Sequence, residues 1–182
     1  MPFTFRKTGI DEIVVIEPQL YGDQRGFFLE TYRESDFRKW GIADVFVQDN
    51  HSFSVKGVIR GLHYQIPPRA QAKLIYVVQG AVLDVAVDVR RGSPTFAKFV
   101  SEELSDSNRW MMYIPEGFAH GFCALTDSVH IIYKCTREFS PEHDSGVRWD
   151  DEEIGIDWPV DAPILSERDR NLPFLREAVV FD

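Results

Sequence analysis

The sequence predicts an all-β fold, an antiparallel jelly roll built as a β-sandwich or barrel, with short helices only at its periphery. Three observations lead there. Short runs of alternating apolar and polar residues recur from Ile10 to Thr136, turns rich in Gly, Pro, Asp, Ser and Asn separate them, and helical periodicity is confined to the edges. Alternation with period two is the pattern of a half-buried strand, and closely spaced turns fold successive strands back on one another. The chain carries no internal repeat and no low-complexity segment.

In order, Ile10 to Pro18 is predicted as a short strand, and Tyr21-Gly22-Asp23-Gln24-Arg25-Gly26 as a polar turn bracketed by glycines. Phe27 to Tyr32 follows as a strand, with Phe27, Leu29 and Thr31 on one face and Phe28, Glu30 and Tyr32 on the other. Ser35 or Asp36 can cap a brief helix carrying Phe37 and Trp40 and ended by Gly41, too short for a core element. Val45 to Ser54 is predicted as a strand with Val45 and Val47 opposite Phe46, Gln48 and Asn50. Two amides on one face suit a polar ligand or a solvated sheet face, and periodicity does not choose between them.

Leu74 to Val78 and Ala81 to Val89 are the clearest strands, joined at Gln79-Gly80. In the second, Ala81, Leu83, Val85, Val87 and Val89 point one way and Asp84 and Asp88 the other, which predicts one core face and one wet face. Thr95 to Glu103, Trp110 to Ile114, Gly121 to Leu125 and Ser128 to Thr136 continue the series, separated by Arg91-Gly92-Ser93-Pro94, Ser105-Asp106-Ser107-Asn108 and Pro115-Glu116-Gly117. From Ser140 the chain turns acidic and irregular, with Asp150-Asp151-Glu152-Glu153 and Trp158-Pro159. It reads as a C-terminal wrap over the barrel, so that 1–182 form a single domain.

Composition narrows the function classes. A chain of 182 residues is long enough to bury roughly 70% of its unfolded surface without staples. Cys123 and Cys135 sit inside apolar alternating runs and read as buried thiols rather than a disulfide. No apolar run reaches signal-peptide or membrane-span length, which points to the cytoplasm. A net charge of −9 argues against nucleic acid or an anionic membrane as partner, while an anionic small ligand is allowed if its few cations are local.

The stretch from Gly57 to Gly80, GVIRGLHYQIPPRAQAKLIYVVQG, has the grammar of a cupin metal site without its ligands. Gly57 is followed after five residues by His63, but the second histidine position holds Gln65, and the carboxylate position, six residues before the strand-ending Gly80, holds Lys73. An ammonium repels a divalent cation rather than ligating it. What remains is a base beside a fixed positive charge, a pair suited to removing a proton next to a carbonyl, with His63 as base and Lys73 on the enolate oxygen. Pro115-Glu116-Gly117-Phe118-Ala119-His120 matches the second cupin signature, with Ala124 at its later polar position. The plain alternative for His120 is a core histidine bonded to a backbone carbonyl, and for His63 a satisfied core histidine. Arg60, His63 and Lys73 converging on one apolar barrel are costly without a ligand.

Taken together, Asp23-x-Arg25-Gly26-x-Phe28-x-Glu30, Gln48-Asp49-Asn50-x-Ser52, Arg60-Gly61-Leu62-His63, Gln71-Ala72-Lys73, the Pro115 to Phe122 run and Leu165-Ser166-x-x-Asp169 resemble the dTDP-4-dehydrorhamnose 3,5-epimerase family over essentially the whole chain. The resemblance implies a metal-free cupin jelly roll, a homodimer, no cofactor, and inversion of dTDP-4-dehydro-6-deoxy-D-glucose at C3 and C5. It implies His63 as general base, Asp169 as the carboxylate that orients it, Lys73 on the C4 oxygen and Tyr133 as acid from the opposite face of the ring. Arg25, Arg60 and His120 would hold the pyrophosphate and sugar, Glu30, Gln48 and Asn50 would position the rest, and Phe28 would stack on thymine. Phe139 stands where many members have a tyrosine on the other thymine face, so the ring survives and the hydroxyl does not.

Strand alternation puts Val129, Ile131, Tyr133 and Cys135 on one face, which would point Tyr133 into the barrel. The plain alternatives are a core tyrosine with a bonded hydroxyl and, for Asp169, a helix-capping role with Ser166. Three rival functions stay open: a relative that inverts a single carbon, C3 or C5, of a related dTDP-4-keto-6-deoxyhexose; a metal-dependent cupin dioxygenase, against which Gln65 and Lys73 argue; and a non-catalytic sugar-binding cupin, which has no use for His63, Lys73 and Tyr133 together.

Overall fold

The alternating runs fold as strands that pair antiparallel into two facing sheets, in a computed structural model that describes residues 2–182. In chain order the first strands are β1 (Phe3–Lys7), β2 (Val14–Pro18), β3 (Tyr21–Asp23), β4 (Gly26–Phe28), β5 (Gln48–Ser54) and β6 (Ile59–Gln65). They continue as β7 (Lys73–Gln79), β8 (Ala81–Asp88), β9 (Phe99–Ser105), β10 (Met111–Ile114), β11 (Phe118–Ala124), β12 (Val129–Cys135) and β13 (Asp144–Gly146). Two short helices, α1 (Glu34–Trp40) and α2 (Glu167–Arg170), lie at the edges, and among the described residues no helix is long and apolar enough to cross a membrane. One sheet runs β1-β2-β10-β7-β12-β5, the facing sheet β13-β6-β11-β8-β9, and β3-β4 form a separate hairpin. This is the jelly-roll sandwich that the strand and turn pattern predicts.

Side chains from both sheets interdigitate between them. Ile75, Val77, Met112, Val129 and Ile131 of the six-stranded sheet meet Val82, Ala86, Val100, Phe118 and Phe122 of the five-stranded sheet. The outer face of the five-stranded sheet is also dry: Ile59, Leu62, Val85, Val87 and Cys123 pack under Ile154, Trp158, Leu175 and Ala178 of the C-terminal wrap. Cys123 and Cys135 are free, buried thiols.

Several expectations are corrected. The predicted wet face of β8 is buried, with Asp84 and Asp88 both 0% exposed, because that face lines the sandwich interior and the wrap covers the other. Asp88 is held there by Arg90 Nη2 at 2.7 Å and by the hydroxyls of Ser93 and Thr95, each at 2.6 Å. Strand β1 was not predicted, and the strand expected from Ile10 begins only at Val14. The strand expected over Phe27 to Tyr32 ends at Phe28. Tyr32 instead turns inward against Phe37 and Phe46, at ring-centroid distances of 4.9 and 5.3 Å.

Helix α1 starts after Arg33, which gives no side-chain cap, so neither Ser35 nor Asp36 caps it. It is short yet contributes to the core, since Phe37 is fully buried among Phe3, Val14, Ile16 and Leu74. The strand expected from Thr95 begins at Phe99, because Thr95 is occupied with Asp88. Gly80 is required where it stands: its φ is +80°, and a Cβ there would lie 2.3 Å from the Ser128 carbonyl oxygen.

Candidate active site

Strand β6 carries His63 and Arg60, three residues apart, which simple alternation would send to opposite faces. Both nevertheless line one cavity of about 500 Å³ between the sheets. The cause is a β-bulge: on β11, His120 stands opposite His63 and Phe122 opposite Arg60, so β6 spends one residue more than its partner over the same span. Gly61 permits the bulge, with φ +131° and a hypothetical Cβ only 2.5 Å from the Gly121 Cα. Arg60 then reaches the edge strand β5, donating from Nε to Ser54 Oγ at 3.1 Å and from Nη2 to the Phe53 carbonyl at 2.9 Å.

The facing wall comes from the six-stranded sheet. Its register aligns Lys73, Cys135 and Gln48 in one inward row, Ile75, Tyr133 and Asn50 in the next, and Val77, Ile131 and Ser52 in a third. Tyr133 therefore points into the cavity from the sheet opposite His63, and Lys73 reaches across to donate to the His63 carbonyl at 3.3 Å. The amides of β5 turn inward rather than to solvent. Gln48 donates to Asn50 at 3.0 Å and accepts from the Phe139 N–H at 2.8 Å, and Asn50 donates to Cys135 Sγ at 3.6 Å.

Helix α2 and its cap, Ser166, add Arg168 and Asp169 to the cavity lining. Ser166 caps it by accepting from the Asp169 N–H at 3.0 Å, and the same residue's carboxylate lies 2.5 Å from His63 Nε2. Asp169 thus gives its N–H to the Ser166 cap and its carboxylate to His63. A carboxylate can only accept, so Nε2 carries the proton and Nδ1 keeps the lone pair. Burial would raise the Asp169 carboxyl, but the hydrogen bond and charge of His63, the Ser166 hydroxyl and Arg168 overcome it and hold it below the usual carboxylate range. Burial pushes the His63 imidazole down, against the pull of Asp169, so the ring is a neutral base at neutral pH. Burial likewise lowers the Lys73 ammonium and raises the Tyr133 phenol, the latter helped by Cys135 and opposed by Arg60.

The cavity thus unites His63, Asp169, Lys73, Tyr133, Arg60 and His120 of the expected set, with Gln48 and Asn50 in the adjoining rows. It does not include Arg25, Phe28, Glu30 or Phe139. Arg25 sits on the β3-β4 hairpin, paired to Asp23 at 2.5 Å, Phe28 is 64% exposed there, Glu30 pairs with Arg33, and the Phe139 ring is exposed beside Gln48. Two residues of the site were missed. Arg168 lines the mouth, paired to Asp144 at 2.7 Å, and its position directly before Asp169 was the available signal. Asp84, read as solvated, accepts from His120 Nε2 at 2.8 Å, so His120 is bonded to a buried carboxylate and not to a backbone carbonyl. Gln65, at the second histidine position of the cupin pattern, ties down the Ser140 loop instead, its Oε1 accepting from the Ser140 N–H at 2.6 Å. Among the described residues no three His, Cys, Asp or Glu side chains gather as a metal's ligand set.

Comparison with known proteins agrees with this geometry. The profile of the dTDP-4-dehydrorhamnose 3,5-epimerase family matches residues 7–177. The dTDP-4-dehydrorhamnose 3,5-epimerase of Methanothermobacter thermautotrophicus is 51% identical over 182 residues, covering 98% of each chain. The crystal structure of the enzyme of that name from Sulfolobus tokodaii superposes with a TM-score of 0.93 at 49% identity, covering 100% of both chains. The dTDP-6-deoxy-D-glucose-3,5-epimerase RmlC of Legionella pneumophila, solved with dTDP-4-keto-L-rhamnose, gives 0.93 at 45% identity, covering 96% of this chain and 94% of that one. Matches of this extent, on a fold and cavity of this kind, establish that the chain belongs to the dTDP-4-dehydrorhamnose 3,5-epimerase family.

Proposed function

We propose that this chain inverts C3 and C5 of dTDP-4-dehydro-6-deoxy-D-glucose, yielding dTDP-4-dehydro-L-rhamnose. The observation that carries the reading is the His63-Asp169 pair, 2.5 Å apart, on the wall opposite Tyr133, with the half-buried Lys73 between the sheets. A ketone at C4 acidifies the C–H groups on both sides of it, so one carbonyl serves two inversions. His63 Nδ1 takes the proton from C3 or C5, the electron pair moves onto the C4 oxygen, and the Lys73 ammonium stabilises the enolate. Tyr133 then returns a proton from the other face, its phenol kept protonated by burial. Solvent reprotonates the phenol and takes the proton from His63, and the cycle repeats at the second carbon.

Arg60 has used two of its five N–H donors on β5, which leaves three for a phosphate oxygen, and His120 stands opposite His63 to meet the sugar or diphosphate. Arg25, Phe28 and Glu30 contribute nothing to this cavity's wall. In our reading they act from a second copy, the exposed β3-β4 hairpin of one protomer reaching the nucleotide held by the other, which makes the working unit a homodimer. The chemistry uses no metal and no cofactor.

The test is proton NMR of the protein with dTDP-4-dehydro-6-deoxy-D-glucose in D2O. Deuterium entering both C3 and C5 supports the reading. Incorporation at one carbon alone makes the protein a single-carbon epimerase, and none at either makes it a sugar-binding cupin.

A further inference from the structure

The inward face of β5 carries Gln48, Asn50, Ser52 and Ser54, and all but Ser52 spend their polar atoms within the chain. Gln48 donates to Asn50 and accepts from the Phe139 N–H, Asn50 donates to Cys135 Sγ, and Ser54 Oγ accepts from Arg60 Nε. The Ser52 Oγ is sealed from solvent and has no hydrogen-bond partner among the described residues. Its row across the sheet gives the reason. Ser52 stands beside Ile131 of β12, with Val77 of β7 beyond, both buried and neither able to bond a hydroxyl. An alanine would fill this position at lower cost to the fold, because a hydroxyl taken from water without a partner is destabilising.

Ser52 nevertheless lines the cavity, together with Arg60 and His120 of the facing sheet. Two residues along the same strand face, Ser54 and the Phe53 carbonyl anchor Arg60, whose unused N–H donors are those assigned above to a phosphate oxygen. We propose that Ser52 is a substrate-binding residue: its hydroxyl, turned about χ1 into the cavity, donates to a diphosphate oxygen of the nucleotide sugar that Arg60 also holds. One staggered rotation of a serine is enough, and an anionic oxygen repays it with a charge-assisted hydrogen bond. A neutral donor at this place adds affinity for the diphosphate without a further positive charge in a cavity that already holds Lys73, Arg60 and Arg168.

The inference rests on the reading that this cavity holds a dTDP-sugar, so wild type and Ser52→Ala are both titrated with dTDP by calorimetry and with thymidine by competition against dTDP. The substitution removes the hydroxyl alone. Affinity for dTDP should fall about 10–100-fold, the loss of one hydrogen bond to a charged group, while thymidine, which has no diphosphate, binds as it does to the wild type. In turnover the variant should show KM raised by a similar factor with kcat little changed, as expected when ground state and transition state lose the same contact. The Tm should hold or rise, since no hydrogen bond within the chain is broken. A serine with a structural role alone would lower Tm without separating dTDP from thymidine. Unchanged dTDP affinity in Ser52→Ala, or equal weakening of dTDP and thymidine, overturns the inference. Unchanged dTDP affinity with a raised KM for the full substrate overturns it as well, and gives the hydroxyl to the sugar instead. If the wild type binds no dTDP, the reading of the cavity fails first and this inference falls with it.

Discussion

Replacing Lys73 with Met separates the chemistry of the cavity from its packing. The substitution keeps an unbranched stem of similar length and deletes one ammonium in a site where burial already works against the charged form. Little else depends on that group: its one hydrogen bond is a long one, 3.3 Å to the His63 carbonyl. Stability should therefore be unchanged or slightly higher, because the loss of a weak bond is offset by removal of a desolvated charge. Catalysis should respond in the opposite sense. An ammonium that meets the C4 oxygen only once it becomes an enolate acts on the transition state, and losing one such donor costs about 2.7–4 kcal/mol, or about 10²–10³ in kcat. KM should change little by comparison. The assay is steady-state turnover coupled to the reductase that consumes the product, beside a thermal melt of the same preparation. A variant with raised KM and normal kcat would refute the reasoning and make Lys73 a phosphate ligand.

Three further outcomes are expected. Asp169→Asn should lower kcat by about 10²–10⁴, because the amide neither fixes the His63 tautomer nor charges it. The acid limb of its pH profile should lie lower than the wild type's, since the neighbouring anion that favoured the protonated ring has gone. Gly61→Ala should destabilise the protein by about 3 kcal/mol or more, read as a lower denaturation midpoint, since a Cβ would lie 2.5 Å from the Gly121 Cα at a φ of +131°. Prolonged treatment with a chelator, followed by metal analysis, should leave turnover unchanged with no stoichiometric transition metal; chelator-sensitive activity would overturn the proposed chemistry.

Much of this fold could be read from alternation alone, because a strand that buries one face advertises it with period two. Ser128 to Thr136 and Leu74 to Val78 emerged within a residue or two of β12 and β7, and the inward direction of Tyr133 followed from counting along the strand. Counting misled where both faces are buried. On β8 the aspartates signal water, yet one oxygen of Asp84 accepts from His120 of the neighbouring strand and Asp88 is held by Arg90, contacts that alternation does not encode. It also misled at β6, where the bulge at Gly61 brings Arg60 and His63 to one side. The pairing of His63 with Asp169 spans 106 residues and leaves no local trace beyond the Ser166 cap, so it was legible only through the family pattern. The hairpin residues Arg25 and Phe28 carry a family motif without joining the cavity of their own chain, a separation that only the packed structure reveals.

The central claim is that a base and an acid work from opposite sheets, and it is tested most directly by comparing exchange with inversion in Tyr133→Phe. His63 and the enolate remain intact in that variant, so His63 can return the proton to the side it left. Deuterium from D2O should keep entering the recovered substrate, measured by NMR, while inverted product, measured through the coupled reductase, falls by about 10²–10⁴. His63→Ala run in parallel should lose both signals, since no enolate forms. Loss of exchange and inversion in equal proportion in Tyr133→Phe would contradict the account and make Tyr133 a residue that positions the sugar.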